Sequence, residues 1–471
     1  MTAADGRAPS ALDLRGRRAL VLGFGRSGRA SAAFLTRRGA SVRVLDRADT
    51  PALREALQES GLPYRLGPER EEDLGDAEML VVSPGVPWDL PLLQAARRRG
   101  LEITSEIDLF FRITPARIAG ITGTNGKTTT TALTAEVLRH GGLRVLRGGN
   151  IGEPVLDRVA EIDAGTWAVL ELSSFQLESI ARPCLDIASV LNITPDHLDR
   201  HHTFERYVDV KARAVEGVPA GGHAALNADD PASIGLRGRT RARVIPFSTR
   251  SRDPQGVRLE EDWIVLPDGT RVMLAADVPL PGEHNLSNVL AALAAGWAAG
   301  VSPERMAEAI RAFPGVEHRL ELVGSFEGVR WYNDSKATNP DSTLKALAAF
   351  EEPIVLIAGG RNKGIDLQPL ADAIARRVRA LVAMGETGQE LAARVRDAGL
   401  SRVLSAADLK DAVRQARSLA KPGSVVLLSP AFASYDMFRD YEDRGRQFKA
   451  AVREEVGEAD ETGRSPSRRP A

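Results

Sequence analysis

Residues 120–129 read GITGTNGKTT, a glycine-rich turn that separates an apolar run from a helix-like segment. The run 118–122 predicts a buried strand, and residues 130–140 predict the helix that follows it. Phosphates fit such a turn, because glycines let backbone N–H groups face the anion and the helix N-terminus adds positive potential. Lys127 would neutralise phosphate charge, and Thr128 would hold Mg²⁺. Isoleucine stands where the usual Gly-x4-Gly-Lys-Ser/Thr pattern has its first glycine, but the strand and helix context disfavours a chance turn.

Similar apolar runs alternate with longer amphipathic segments along most of the chain. The runs occupy residues 18–23, 41–46, 79–83, 118–122, 167–172, 188–193, 353–358, 381–385 and 424–429. Alternation on this scale is typical of βαβ units, in which helices cover both faces of a parallel sheet. We therefore predict an α/β protein throughout.

The length of 471 residues favours about three domains. A helix-like stretch after residue 105 leads into a new strand, and a Phe-Pro-Gly sequence near residue 315 closes another helix. After residue 455 the chain is rich in Glu, Gly, Ser, Arg and Pro without apolar periodicity, which is typical of disorder. The predicted divisions are a Rossmann-like domain, a phosphate-loop domain, a second Rossmann-like domain and a disordered tail, over residues 1–105, 106–316, 317–455 and 456–471.

Composition narrows the class of protein. Lys and Arg number 62 against 63 acidic residues, a formal net charge of −1, which argues against nucleic acid or a membrane surface as partner. The single cysteine excludes an internal disulfide. Residues 1–13 are polar and unlike a secretory signal, and the uncharged stretch 289–301 is too short to cross a bilayer and predicts a buried helix. We expect a cytoplasmic protein that does not insert into membranes.

A second glycine-rich turn, GFGRSG at residues 23–28, follows the first apolar run, and Asp46 ends the next run. Alone, this pattern indicates a dinucleotide site and an NAD-dependent oxidoreductase. With a phosphate loop downstream it fits a UDP-sugar better, since the glycine turn can take a pyrophosphate and Asp46 can reach toward uridine. Ser83 and Gly85 end a third strand at the same edge of the predicted sheet and would border this site.

Other polar side chains stand where they can reach a nucleotide. Glu171 lies at the end of an apolar run, from which it can reach Mg²⁺ beside the phosphates. Asn285 and Asn288 lie three residues apart on one helix face and could meet adenine; helix capping is the alternative for Asn285. Lys211, taken alone, is a lysine on a solvated helix face.

The phosphate-loop sequence GTNGKTT resembles that of the Mur ligases and the folylpolyglutamate synthetases. The resemblance covers about residues 15 to 450 and places six motifs in the same order, among them NITPDHLDRH at 192–201 and GEHNLSN at 282–288. The segment YNDSKATN at 332–339 resembles the branch of the Mur ligases that adds D-glutamate. A helix N-cap at Asp334 or Thr338 is the alternative for that segment.

The resemblance implies a role for each matching residue. It assigns ATP to Gly123, Thr124, Asn125, Gly126, Lys127, Thr128, Thr129, Asn285, Asn288, Arg319 and Asp334. It assigns two Mg²⁺ sites to Thr128, Glu171, His197 and Lys211, the last as a carbamate. It assigns a UDP-linked substrate to Arg26, Ser27, Asp46, Ser83, Gly85, Asn150 and Ser173. It assigns the incoming amino acid to Lys336, Thr338, Lys363, Ser434 and Tyr441, with Phe the usual residue at the last of these positions. Lys127, His197, Lys211 and Arg319 would carry the chemistry.

The implied reaction joins D-glutamate to UDP-N-acetylmuramoyl-L-alanine through an acyl phosphate, with ATP as the energy source. The partners would be small molecules and the protein a monomer. Three alternatives stay open: a sibling ligase with another acceptor, including folate; an NAD-dependent oxidoreductase; and a nucleotide-sensing module without catalysis. The oxidoreductase would explain only the first hundred residues.

Overall fold

A computed structural model describes residues 12–251, 253–362 and 366–457. Its secondary structure is α/β, as predicted, and it divides into two compact units. The first comprises the chain up to Pro279 together with His284–Phe313, and the second comprises Leu280–Glu283 and the chain from Pro314 onward.

The first unit opens with a five-stranded parallel sheet in the order β3-β2-β1-β4-β5. This order is the one found in Rossmann-type nucleotide-binding folds. Its strands and helices are β1 (Arg18–Leu22), α1 (Arg26–Arg37), β2 (Ser41–Asp46), α2 (Pro51–Ser60), β3 (Tyr64–Leu66), β4 (Met79–Val82), α3 (Pro91–Arg98) and β5 (Glu102–Thr104).

A connecting helix then leads to a six-stranded parallel sheet in the order β11-β10-β9-β6-β8-β7. The elements are α4 (Glu106–Ile113), β6 (Arg117–Thr122), α5 (Lys127–His140), β7 (Arg144–Gly149), β8 (Thr166–Glu171), α6 (Ser174–Ser179), β9 (Ile187–Val190), α7 (Leu198–His201), α8 (Phe204–Glu216), β10 (His223–Asn227), α9 (Pro231–Ile234) and β11 (Arg243–Phe247). The central strands β6, β8 and β9 are buried on both faces, which explains their unbroken apolar sequences.

A small antiparallel sheet and two helices complete the first unit. They are β12 (Arg258–Glu260), β13 (Trp263–Val265), β14 (Arg271–Leu274), α10 (Glu283–Ala298) and α11 (Pro303–Ala312). The predicted buried helix is confirmed, because α10 is buried from Val289 to Gly296, although residues 299–301 follow its end. No helix in the described part of the chain has the length and apolar character that a bilayer crossing requires.

The second unit contains one six-stranded sheet in the order β15-β16-β20-β17-β18-β19, parallel except for β15. Its elements are β15 (Glu321–Phe326), β16 (Val329–Asn333), α12 (Pro340–Ala348), β17 (Ile354–Ala358), α13 (Gln368–Arg377), β18 (Ala380–Ala383), α14 (Gly388–Asp397), β19 (Val403–Ser405), α15 (Leu409–Leu419), β20 (Val425–Leu428) and α16 (Tyr441–Val456).

Helices α12, α13 and α14 pack on one face of this sheet, and α15 and α16 pack on the other. The sheet is therefore covered on both sides, as its apolar strands require. The predicted tail began at residue 456, but Val456 is the last residue of α16. The rest of that prediction, from residue 458, lies outside the described residues.

Candidate active site

The phosphate loop joins β6 to α5, as predicted. Gly126 is the N-cap of α5 with φ of +85°, and Gly123 has φ of +150°. Residues that carry a Cβ rarely adopt these two backbone conformations. The Lys127 ammonium donates to the carbonyl oxygens of Gly123 at 3.0 Å and Thr124 at 2.8 Å. The loop thus curls around the lysine that would meet phosphate.

Asn192, which follows β9, holds the outer half of the loop. Its backbone oxygen accepts from the Thr124 N–H at 2.7 Å. Its side-chain amide accepts from the Asn125 N–H at 2.9 Å and donates to the Asn125 carbonyl at 3.1 Å. These three bonds hold Thr124 and Asn125, the first residues of the loop after Gly123, against the segment that follows β9. Sequence reasoning missed this role of Asn192.

Glu171 ends β8 beside the loop, since its neighbour in the β6 register is Ile121. The Glu171 side chain is 3% exposed. Its Oε1 accepts from the Asn150 amide at 3.1 Å, whereas Oε2 is buried without a hydrogen-bond partner. A buried carboxylate oxygen is costly unless something cationic meets it, so this group suits a metal ion. Among the described residues, no three His, Cys, Asp or Glu side chains form a metal site by themselves.

Two histidines of the 192–201 segment behave differently. His201 is buried, with its Nε2 at 3.0 Å from the Ser174 hydroxyl and its ring stacked on Phe175 at 5.7 Å. The His197 side chain is 48% exposed, and its backbone φ of +51° is unusual for a residue with a Cβ. His197 is therefore the histidine of this pair that a ligand can reach.

Lys211 lies inside the protein and contacts the phosphate loop. Its side chain is 1% exposed, and its ammonium donates to the Gly123 carbonyl at 2.8 Å. The ammonium also lies 4.7 Å from the Tyr207 ring. Burial, and secondarily the charge of Lys127, lowers the pKa of Lys211 well below its usual value. The alternative of a lysine on a solvated helix face is wrong.

Asn285 and Asn288 lie within α10, and Asn285 is the third residue of this helix rather than the residue before it. The Asn288 amide donates to Asn285 Oδ1 at 3.2 Å, and Asn288 Oδ1 accepts from the Thr130 hydroxyl at 3.2 Å. A Cβ on Gly126 would approach Asn288 Oδ1 to 2.3 Å. The asparagine pair is thus packed against the start of α5.

The second glycine turn joins β1 to α1, which begins at Arg26. The Asp46 carboxylate accepts from the backbone N–H of Phe24 at 2.7 Å and of Ala48 at 2.9 Å. The Ser83 hydroxyl donates to the Gly23 carbonyl at 2.8 Å. Asp46 and Ser83 thus both contact the glycine turn and hold it in shape.

Ser173, expected near the same substrate, is the N-cap of α6. Its hydroxyl accepts from the Gln176 N–H at 3.2 Å. Asn150 follows β7 and donates to Glu171, so both residues lie at the edge of the sheet that carries the phosphate loop.

In the second unit, Asp334 follows β16 and is buried. It accepts from the Leu320 N–H at 3.2 Å and from the Ser429 hydroxyl at 2.8 Å. Burial raises the pKa of Asp334 to about 6, while the charge of Arg319 opposes the rise. The N-cap of α12 is Asn339, so the capping alternative for Asp334 and Thr338 is wrong.

Arg319 lies in a turn with an uncommon backbone. The residues on either side, His318 and Leu320, have φ of +64° and +44°. The His318 ring is buried, with its Nδ1 at 2.9 Å from the Asn333 amide, and the His318 carbonyl accepts from the Lys336 N–H at 3.0 Å. A positive φ in residues with a Cβ persists where surrounding contacts fix the backbone, as they do in this turn. Such conformations are often found at functional sites.

Lys336 lies near the start of α16. The Lys336 ammonium lies 5.7 Å from the ring of Tyr441, whose carbonyl accepts from the Ser335 hydroxyl at 2.8 Å. Arg444, fully buried, donates to the carbonyl oxygens of Ser335 at 2.8 Å and Phe432 at 3.2 Å. This pairing brings the segment that carries the buried Ser434 close to Lys336. Lys363 lies outside the described residues.

Burial lowers the pKa of Arg444 to about 10, so this side chain still carries its charge near neutral pH. Sequence reasoning missed Arg444, because an arginine in an amphipathic helix gives no sign of burial.

Three family models match the chain. They are the Mur ligase MurD-like N-terminal domain at residues 17–105, the Mur ligase middle domain at 121–296 and the Mur ligase glutamate ligase domain at 318–432.

The chain belongs to the Mur ligase family.

Curated relatives match this chain over nearly its whole length. The UDP-N-acetylmuramoylalanine–D-glutamate ligase of Koribacter versatilis is 43% identical over 448 residues, covering 94% of this chain and 98% of the relative. The enzyme of the same name from Geobacter metallireducens is 44% identical over 447 residues, covering 94% and 98%. Mur ligases in general depend on ATP and Mg²⁺, and their substrates are small molecules.

Solved structures show the same fold. The UDP-N-acetylmuramate–alanine ligase MurC of Thermotoga maritima matches with a TM-score of 0.58 at 20% identity, covering 93% of this chain and 99% of that one. MurF of Acinetobacter baumannii matches with a TM-score of 0.58 at 17% identity, covering 94% and 92%. At these identities the likeness concerns the three-domain fold of the Mur ligases.

Proposed function

We propose that this Mur ligase forms the amide bond between UDP-N-acetylmuramoyl-L-alanine and D-glutamate, using ATP, in peptidoglycan precursor synthesis. The observation that carries the proposal is the grouping of Lys127, Glu171 and Lys211 around one phosphate loop. The curated relatives of this chain are named as ligases that join D-glutamate to UDP-N-acetylmuramoylalanine. A cytoplasmic location is part of the proposal, because ATP and nucleotide-linked precursors are cytoplasmic compounds. A monomeric state is a further part of it.

The reaction has two steps. An oxygen of the alanine carboxylate attacks the γ-phosphorus of ATP, the bond to the β-phosphate oxygen breaks, and ADP leaves with that bonding pair. The amine of D-glutamate then attacks the acyl carbon and loses a proton. The tetrahedral intermediate collapses by breaking the bond between carbon and the phosphate oxygen, which releases phosphate.

Cationic side chains make the first step possible, because two anions must approach each other. Lys127 would contact the phosphates from the loop, and Arg319 would contact the γ-phosphate. Asn285 and Asn288 would meet the adenine end of ATP, with Asp334 also on the nucleotide.

Thr128, Glu171 and His197 would hold Mg²⁺ at two sites, with Lys211 contributing as a carbamate. The unpartnered Oε2 of Glu171 supports this assignment. When bound, Mg²⁺ supplies positive charge that offsets the repulsion between carboxylate and phosphate.

The burial of Lys211 supports its carbamylation. Only a neutral amine reacts with CO₂, and the lowered pKa of Lys211 increases the neutral fraction at a given pH. The amine nitrogen bonds to the CO₂ carbon and loses a proton, so a cation becomes an anion. That anion can ligate a metal which the ammonium would repel.

Lys336, Thr338, Ser434 and Tyr441 would surround D-glutamate, with Lys363 as a further cation. The domain divisions at residues 105, 316 and 455 belong to the same proposal. In this division, each of the three domains would bind one substrate: the first the nucleotide-linked substrate, the second ATP and the third the amino acid.

Lys336→Ala is expected to raise KM for D-glutamate about 50-fold, because a charge-assisted hydrogen bond to a carboxylate is lost. KM for ATP should change less than about threefold, since no nucleotide contact is removed. Steady-state kinetics with each substrate varied in turn will check this. Lys345→Ala is the matched control: Lys345 pairs with Asp341 on the exposed side of α12, and its loss should leave both constants unchanged. Equal effects of the two variants would contradict the assignment of Lys336.

Asp46→Ala is expected to raise KM for UDP-N-acetylmuramoyl-L-alanine about tenfold, because the Phe24 N–H of the glycine turn and the Ala48 N–H after β2 lose their acceptor. Asp49→Ala, which removes an exposed partner of Arg54, serves as control. A KM that stays at the wild-type value in Asp46→Ala would remove Asp46 from the substrate site.

The function itself is tested by phosphate release from purified protein with Mg-ATP and UDP-N-acetylmuramoyl-L-alanine. D-glutamate, L-glutamate and no amino acid are compared. We expect release that requires both substrates and prefers D-glutamate. Turnover with a different amino acid or acceptor would favour a sibling ligase, and tight ATP binding without turnover would favour a nucleotide-sensing module.

A further inference from the structure

Arg200, in α7, makes three contacts with two other segments of the first unit, the loop after β4 and helix α6. Its guanidinium donates to the Val86 carbonyl at 3.0 Å and to the Glu178 carboxylate at 3.0 Å. It also lies over the Phe175 ring, 5.2 Å from the centroid. Neither its position in the sequence nor its neighbours there indicate these contacts.

The ion pair with Glu178 is partly buried, with each side chain 12% exposed. Ion pairs at exposed sites contribute little, whereas a pair withdrawn from solvent holds its geometry, because either partner left alone would be an uncompensated charge. Glu178 is in α6, the helix that begins directly after Ser173. Arg200 is therefore fixed to the helix that follows the Glu171 strand.

The contact with Val86 reaches the other parallel sheet of this unit. Val86 belongs to the loop after β4, which carries Ser83 and Gly85. A cavity of about 390 Å³, lined by Trp88, Glu178 and Arg213 among others, adjoins this loop. Val86 and Trp88 pack against the core of the first sheet, and the Arg200 bond is a polar contact that the Val86 carbonyl adds to this packing.

The backbone around Arg200 is unusual at both ends of α7. His197 has φ of +51° and His202 has φ of +67°, so the short helix is bounded by two left-handed residues. The Phe175 ring contacts both the guanidinium of Arg200, at 5.2 Å, and the imidazole of His197, whose centroid is 4.9 Å away. His202 Nε2 lies 3.8 Å from Asp89, in the stretch that leads from the same loop to α3. Arg200 thus shares the Phe175 ring with His197 and is hydrogen-bonded to the loop after β4.

We propose that Arg200 is a positioning residue that ties loop 83–86, which would border the UDP-linked substrate, to the segment that carries His197. The inference rests on the proposed function, because it takes Ser83 and Gly85 to lie against that substrate. Arg200 itself touches no reactant. It sets the distance between the bound acceptor and the phosphate loop, and small errors in that distance are expensive in rate.

The test compares Arg200→Met, which removes both donors, with Arg200→Lys, which can reach Glu178 or Val86 but cannot fork between them. We expect kcat/KM for UDP-N-acetylmuramoyl-L-alanine to fall about 100-fold in Arg200→Met and about tenfold in Arg200→Lys. KM for ATP and for D-glutamate should change less than about threefold. Hydrogen exchange of the backbone in residues 83–90 should become faster in Arg200→Met.

Arg258→Met is the matched control. Arg258 is also a buried arginine that pairs with a carboxylate, Glu260, and donates to carbonyl oxygens, but it lies in the small antiparallel sheet. Its loss should lower thermal stability while leaving all three KM values and the exchange of residues 83–90 unchanged.

A fall of less than about threefold in kcat/KM for UDP-N-acetylmuramoyl-L-alanine, rises of about tenfold or more in KM for ATP and D-glutamate, or unchanged exchange in residues 83–90 would overturn the role of Arg200. A wild-type protein that shows no turnover with these substrates would instead refute the proposed function. In that case the exchange measurement alone would still decide whether Arg200 holds the loop.

Discussion

Lys127→Met is expected to lower the rate of ATP-dependent phosphate release about 1,000-fold, the size of effect seen when a preorganised electrostatic contact to a reacting oxyanion is removed. Methionine retains most of the apolar stem but loses the charge that would face the phosphates. The loss should appear in kcat, because the developing charge is greatest in the transition state. Assays at saturating ATP, with thermal unfolding measured in parallel, separate this effect from misfolding.

Arg139→Met provides the control for that experiment. Arg139 lies in the last turn of the same helix, α5, and pairs with Glu136. Its loss removes a cation of similar size far along the helix from the loop, so activity should stay within about twofold of wild type. A Lys127→Met protein that folds and keeps a tenth or more of the activity would contradict a phosphate role for the loop.

Lys211→Met is expected to lower kcat about 100-fold or more, because the variant cannot form a carbamate to ligate metal. Methionine fills most of the space beside Gly123 and Tyr207, so the fold should survive. Adding a small carboxylate such as acetate should restore part of the activity, since it can supply the missing oxygens. Wild-type activity should also fall in CO₂-free buffer and return with bicarbonate.

Two results would contradict the carbamate. One is wild-type activity that is independent of CO₂ after prolonged exchange at the assay pH. The other is a Lys211→Met variant that does not fold and whose activity small carboxylates do not restore. The second result would make Lys211 a structural residue, held by its bond to the Gly123 carbonyl.

The fold was predictable because parallel strands are buried on both faces and therefore read as apolar runs. The run 118–122 corresponds to β6, which begins one residue earlier at Arg117, and the run 188–193 corresponds to β9, which spans Ile187–Val190. The phosphate loop was predictable for a similar reason. Its glycines, lysine and threonines are consecutive in sequence, so no long-range contact is needed to see them.

Burial and long-range pairing were harder to predict. Lys211 has the spacing of an ordinary surface lysine, and only the packing of α8 against the loop removes it from water. Three further residues act through partners that are distant in the sequence: Asn192 bonds Asn125, Arg200 bonds Val86 and Arg444 bonds Ser335. A single sequence does not reveal which distant carbonyl an arginine will meet.

The most direct test of the central claim follows the oxygen atoms of the alanine carboxylate. UDP-N-acetylmuramoyl-L-alanine labelled with ¹⁸O in that carboxylate is turned over with Mg-ATP and D-glutamate, and the released phosphate is analysed by mass spectrometry. We expect each phosphate to carry one ¹⁸O atom, because the oxygen that attacked the γ-phosphorus leaves with it when the amide forms. Phosphate without label, alongside an amide product or none, would contradict the acyl-phosphate route and with it the proposed roles of Lys127, Glu171 and Lys211.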